Sequence, residues 1–309
     1  MLAAVLRRPN EGIQRRDLLG LAALQPLAAA AAAPTGLAPL KAFPTGPTVE
    51  FRWELLRLAL STCPEPWNQL RIEDAGAETV TQGRTELLLQ DGQADVGAFG
   101  VTAQRIAHLR PIRIDLLRGL IGLRFLVVKR ENVERFGRLT EDEILHKVRY
   151  GAQAQWADVG LMQANGMQLE LVSNAQKLYL MLATGRFDAL SRGANEVFAE
   201  LKANADIASQ LAIEPLHALY YDYPVWFWVR RDNEPLARAI ETGLRNILRD
   251  GSFRELFLDR HRAEIEFARK SRRRVIRLSS SALPQPLEAP DTSWWWPPTL
   301  SLGTVGKAS

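Results

Sequence analysis

The sequence predicts an α/β protein built mainly on parallel sheet. Short apolar runs of strand length alternate with segments of helical period along most of the chain, the pattern that strand–helix–strand units leave. Gly, Asn, Asp and Pro mark the turns between them. A length of 309 residues suits about two domains, and 47% hydrophobic content is ample for a core. Two halves are visible. The first ends at the apolar run Leu123–Val128 and the second closes at Tyr223–Val229, after which two helices remain.

Residues 1–33 read as an export signal rather than as part of the fold. Gln14-Arg15-Arg16-Asp17-Leu18-Leu19 is a twin-arginine pattern, an alanine-rich run continues to Ala33, and Ala31 and Ala33 form an A-x-A-like cleavage site. The general export route, or a disordered extension with a chance Arg pair, stays open. The run is too weakly apolar to span a bilayer, and no later segment is a better candidate. The expectation is a mature chain soluble in a periplasm. Net charge is +4, and roughly +2 without the signal, which argues against a nucleic-acid partner. The single Cys63 allows neither an internal disulfide nor a cysteine metal cluster. His108, His146, His217 and His261 lie far apart, so no metal site or nucleophilic triad is suggested, and no cofactor is expected.

Taken in order, the four prolines and two glycines of 34–47 predict a linker. Glu50–Leu60 has a helical face of Phe51, Leu55, Leu58 and Ala59, closed by Pro64 and Pro66. Leu70–Ile72 reads as a strand and Gly83–Gln90 as a helix. Ile112, Ile114 and Leu116 alternate as in a half-exposed strand, and Leu120–Val128 is a buried one. Helices follow at Glu141–Val148, Asp158–Ala164, from Asn174 to Gly185, and at Asn195–Lys202. Strands fall at Arg149–Gly151, Leu169–Val172 and Phe187–Leu190. After the apolar strand Tyr223–Val229, Pro235 opens a helix with Leu236, Ile240, Leu244, Ile247 and Leu248 on one face, ended by Asp250-Gly251. Ser252-Phe-Arg-Glu255 has the spacing of a capping box.

One stretch, Gly92-Gln-Ala-Asp95-Val-Gly-Ala-Phe-Gly100-Val-Thr102-Ala-Gln-Arg105, combines a buried strand, an N-cap Thr and a first-turn Arg. A helix start carrying an Arg suits a small anion. On spacing alone, a plain strand-to-helix turn with a solvated Arg is the favoured reading.

Six pieces in one order carry a more specific resemblance: Gly92–Arg105, Phe125–Arg130, Tyr150–Gly166, Gly185–Ala189, Pro224–Val229 and Leu236–Phe253. From about Val49 to Leu278 the chain resembles the type II periplasmic solute-binding proteins, the amino-acid receptors of ABC uptake systems, in a divergent branch. The resemblance implies a two-lobed α/β fold with a discontinuous first lobe and two hinge-crossing strands. Lobe 1 would be 48–127 plus 222–278, lobe 2 would be 128–221, and 279–309 would be a Pro/Trp-containing tail. It implies that Arg105 holds a ligand carboxylate with help from Gly100 and Thr102, and that lobe 2 adds Trp156, Asp158, Arg192 and Glu196. Ala98 and Gly100 stand where the family usually has Ser or Thr, Gln155-Trp156 stand for Gly-Thr, and Gly193 takes the acid position. The family's opening strand finds no counterpart before the Phe51–Leu60 helix.

The implied function is capture of a small anionic or amino-acid-like ligand, or a planar or larger one beside Trp156, for an ABC-type permease or a sensor. The chain would act as a monomer without catalysis. A ligand-free or sensory interaction protein and a lyase or synthase using Glu196 remain as alternatives. The basic run Arg269–Arg277 is expected to be a solvated surface or a partner-facing edge. Trp294-Trp295-Trp296 fits a tail folded onto the body, one that meets a partner, or a disordered one, and Tyr220, Tyr221 and Asp222 suit hinge packing.

Overall fold

The computed structural model describes residues 38–43, 48–74 and 80–296. The export signal assigned to 1–33 and the end of the tail, 297–309, lie outside the described residues. Among the described residues a two-stranded and a three-stranded sheet form the first lobe and a six-stranded sheet the second. The chain passes between the lobes at 113–122 and 221–224 and rejoins the six-stranded sheet at 274–277. No helix among the described residues is long and apolar enough to cross a membrane.

The first lobe is laid down by β1 (Leu40–Ala42), α1 (Glu50–Ser61), β2 (Ile72–Asp74), α2 (Gln82–Gln90), β3 (Gly97–Gly100), α3 (Ala103–His108) and β4 (Leu109–Ile112). β1 corrects the linker expectation for 34–47. It pairs in parallel with β2, and Ala42 bridges Val96 at the entrance to β3. The opening strand is therefore present, short and hidden among prolines and glycines. Lys41 N–H donates to the Asp95 carboxylate at 2.7 Å, and Asp95 N–H to Lys41 O at 2.9 Å. The alternation at Ile112, Ile114 and Leu116 does not continue the strand. The chain turns instead around Asp115, which accepts from Leu117, Gly119 and Val225 N–H groups.

The second lobe comprises β5 (Leu123–Lys129), α4 (Val133–Gly137), α5 (Glu141–His146), β6 (Arg149–Gln153), α6 (Val159–Ala164), β7 (Gln168–Val172), α7 (Leu178–Ala183), β8 (Ala189–Gly193), α8 (Val197–Ala203), α9 (Ala205–Ala208) and β9 (Leu211–Tyr220). The return strand β10 (Val225–Arg230) inserts between β3 and β4, antiparallel to both, and completes the discontinuous first lobe. Then follow α10 (Glu234–Asp250), α11 (Ser252–Arg260), α12 (Arg262–Lys270) and β11 (Arg274–Arg277).

The sheets are mixed rather than mainly parallel. The antiparallel ladders all involve β5 or β10, the two strands entered directly from a crossing. A crossing strand enters from the hinge and runs away from it, while strands returned by helices run the other way. Consequently β3, β6 and β8 all end at the gap between the lobes, where open α/β sheets present their loops to ligands.

Two local details set the ends of the best-formed helix. Asn233 accepts from Leu236 N–H at 3.3 Å, and Gly251 takes φ 88°, a left-handed conformation that Gly adopts without steric cost. The capping box expected at Ser252 does not form: Asp250 takes both the N–H and the hydroxyl of Ser252. Thr140 and Glu143 form one instead.

The C-terminal part corrects two further expectations. β11 pairs in parallel with β9, so the end of the stretch assigned to lobe 1 lies in the second sheet. It also orders the basic run: Arg273 is 9% exposed, donates to Glu214 O at 2.8 Å and sits 4.9 Å over both the Phe125 and Phe267 rings. Residues 279–296 then lie as a strap across the molecule. Ser279 exchanges two 2.8 Å hydrogen bonds with Asn165 on lobe 2. Trp294 packs edge-on against Phe253 and Phe257 of α11. Trp295 is fully buried and donates to Arg118 O at 2.7 Å.

Candidate functional site

A cavity of about 480 Å³ lies where the ends of β3, β6 and β8 converge. One wall is the first lobe: Thr48, Val49 and Arg52 at the start of α1, Gln82, and Phe99-Gly100 at the end of β3. The opposite wall comes from the second lobe, with Trp156 and Asp158 after β6, Gln176 and Tyr179 around α7, and Arg192, Glu196 and Glu200 at β8 and α8. Ile121, Arg124 and Tyr223 close it at the crossings. Both lobes thus touch one volume, as inter-domain ligand sites do.

Five of the seven residues singled out in the sequence, Gly100, Trp156, Asp158, Arg192 and Glu196, line this cavity. Thr102 and Arg105 do not. Thr102 caps α3 by accepting Arg105 N–H at 3.1 Å. The Arg105 guanidinium is 98% buried and already engaged: Nη1 donates to Gly100 O at 2.6 Å, Nη2 to Gln82 Oε1 at 3.1 Å, and Nε to Glu86 Oε2 at 3.4 Å. It also sits 4.4 Å over the Phe99 ring. The strand-cap-Arg pattern is real, but its Arg pins α2 to the end of β3.

The second-lobe wall is an ion network. Arg192 makes a two-pronged pair with Glu200 at 2.6 and 2.7 Å, lies 3.0 Å from Glu196 and stacks 4.1 Å over Trp156. Arg124 pairs with Asp158, reaches Glu196 at 3.1 Å and donates from Nε to the Tyr221 hydroxyl, which donates in turn to Asp158 at 2.7 Å. Tyr179 donates to Glu200 at 2.8 Å. Burial works against the charge on Glu196, but Arg192 and Arg124 outweigh it and hold the carboxyl below its usual range. Burial works against Arg124 as well, and Tyr221, Asp158 and Glu196 reverse the sign, so its pKa is raised. Each arginine and each carboxylate of this network has a partner of opposite formal charge.

Arg52 differs. It is 6% exposed, its Nη1 donates to Ala98 O at 2.8 Å, and its Nε is buried without a partner. Among the described residues it forms no ion pair, although Glu196 acts on it from across the cavity. A buried donor left unmade costs on the order of 1–3 kcal/mol, and a charged one more. Gly100, on the same wall, is fixed by packing, since a Cβ there would collide with the Tyr223 hydroxyl.

Sequence reasoning missed Arg52, Arg124, Tyr179, Glu200 and Tyr223. Arg124 carried a usable signal: a lone charge inside the apolar run Leu120–Val128 requires buried partners. Arg52 carried a weaker one: three and seven residues before Leu55 and Ala59, it stands at the edge of the apolar stripe assigned to α1.

Many solved structures are similar in fold, among them the following three. An ancestral arginine-binding protein bound to arginine matches at 17% identity and TM-score 0.54, over 72% of this chain and 98% of that one. A Streptococcus mutans structure from work on glutathione import via GshT and the cystine ABC importer TcyBC matches at 12% and 0.54, over 72% and 93%. The periplasmic VFT2 domain of Bordetella pertussis BvgS matches at 17% and 0.51, over 71% and 92%. The fold is that of the type II periplasmic binding proteins. No protein-family model matches the sequence, and neither does any curated protein. Within this fold the near-complete coverage of the neighbours, against 72% of this chain, means that the extra length belongs to this chain.

Proposed function

We propose that the chain is a periplasmic receptor that captures a small anionic or amino-acid-like solute between its lobes. An ABC-type permease or a sensor in the membrane would receive it. The observation that supports this most is the cavity itself, bounded by both lobes and by both crossings. A solute there contacts each lobe, so it binds the closed arrangement better than an open one and shifts the population towards closure. The ion-paired, ionised state of Glu196 fits a binding wall better than a general acid.

A thermal-shift screen over amino acids, polyamines and small organic anions tests the proposal. At a hundred times its Kd a ligand stabilises by about 2.7 kcal/mol, a rise of roughly 5–10 °C for a chain of this size. Absence of any shift across all three classes contradicts it.

A second reading, a sensory or interaction module on the same fold, is favoured by the strap at 279–296. It is fastened to lobe 2 through Asn165 and to lobe 1 through Trp294 and α11. Small-angle scattering separates the two: compaction with a bound solute supports the receptor, and unchanged dimensions support the module.

A further inference from the structure

We propose that Arg52 of α1, rather than Arg105, receives the anionic group of the solute, and that the site takes a monoanion with an apolar or aromatic body. The inference rests on the receptor reading and adds to it a residue and a ligand class.

The two arginines have exchanged circumstances relative to the sequence pattern. Arg105 spends its donors on Gly100 O, Gln82 and Glu86 and does not itself line the cavity. Arg52 lines the cavity, has one donor on Ala98 O, and keeps a buried Nε with no partner and no carboxylate within 4.0 Å among the described residues. The start of α1 reinforces it. Val49 caps that 12-residue helix without a side-chain hydrogen bond, and Thr48 and Val49 face the same cavity. The positive end of the helix therefore falls on the wall that carries Arg52.

The far wall limits the ligand. Among the described residues Asp158, Glu196 and Glu200 pair with Arg124 and Arg192 alone, so that wall carries one carboxylate more than it has cations. A second anionic group reaching it would be repelled, whereas a neutral or cationic end would not. Trp156, Tyr179 and Tyr223 also line the cavity and give it aromatic surface for the body of the ligand. A carboxylate matches the flat edge of a guanidinium better than a spherical anion does.

Calorimetry on the full chain tests this with acetate, butyrate, phenylacetate, the neutral amino acids, the dicarboxylate glutarate, and phenethylamine, which lacks an anionic group. The expected result is that at least one monocarboxylate binds, at least tenfold more tightly than glutarate. Arg52→Gln then weakens that monocarboxylate at least thirtyfold, while Arg105→Lys changes it less than threefold. If Arg52→Gln fails to fold, Arg52→Lys is read instead and weakens binding about tenfold, because an ammonium lacks the fork. Unchanged affinity in the folded Arg52 variant overturns the proposal, as does glutarate binding as tightly as the monocarboxylates. Binding of phenethylamine alone overturns it and leaves the receptor reading standing. No binding of any probe overturns both.

Discussion

Arg124 shows how a single buried charge commits its surroundings. It is 2% exposed inside a strand of apolar residues, and three oxygen-bearing partners, Asp158, Glu196 and Tyr221, converge on it. Arg124→Met leaves two carboxylates in a dry wall without their shared cation, and breaking such a pair costs about 3–5 kcal/mol. Urea melts at pH 7 check this; a loss under 1 kcal/mol would show that the network is solvated. His261 makes the opposite case. Burial, then the charge of Arg52, pushes its pKa down to about 4, and its ring packs 4.6 Å from Phe51 and 4.9 Å from Phe257. It is a neutral core residue whose unfolded form takes up a proton near pH 6.5. The unfolded state therefore binds more protons between pH 6.5 and 4, so the stability from this site is complete above 6.5 and falls as pH drops through that window. The loss reaches roughly 3 kcal/mol at the acid end. His261→Phe should flatten that part of the stability–pH curve, and equal slopes in the two proteins would refute the assignment.

Among the elements, those legible in the sequence are the ones whose local chemistry agrees with their surroundings. α10 has its apolar face, Asn cap, early Pro and terminal Gly all in register, and it forms from Glu234 to Asp250. β1 and β9 were not legible for opposite reasons. β1 is three residues in a Pro/Gly-rich stretch and exists because β2 and Val96 supply its partners. β9 contains Pro215 and the polar Glu214 and His217, which read as loop, yet Glu214 and His217 are fully buried. Tertiary partners absorb them: Glu214 takes the Leu216 and His217 N–H groups, and Arg274 lies 3.1 Å from His217. The strap was undecidable from its composition, because its worth depends on Phe253, Phe257 and Arg118, far away in the chain. Trp295→Ala should cost about 3–5 kcal/mol, as for other large buried aromatics. It should also raise amide exchange across 115–122, which the indole holds through Arg118 O; unchanged exchange there would show that the strap does not brace the crossing.

At the scale of the molecule, direction of travel explains the site better than any motif does. Strands returned by helices end at the gap, crossing strands begin there, and the residues just past β3, β6 and β8 meet in one cavity. That is why five residues chosen by pattern fell on the cavity. The pattern failed at Arg105 because it fixed the backbone position of the Arg but not the competition of Glu86 and Gln82 for its donors. A solute held jointly by the two lobes should show itself in hydrogen exchange with and without the tightest-binding monocarboxylate. The expected result is added protection at once in 48–53 of the first lobe and in 156–159 and 192–200 of the second. Protection confined to one lobe, or bound solute with none in either, would contradict it.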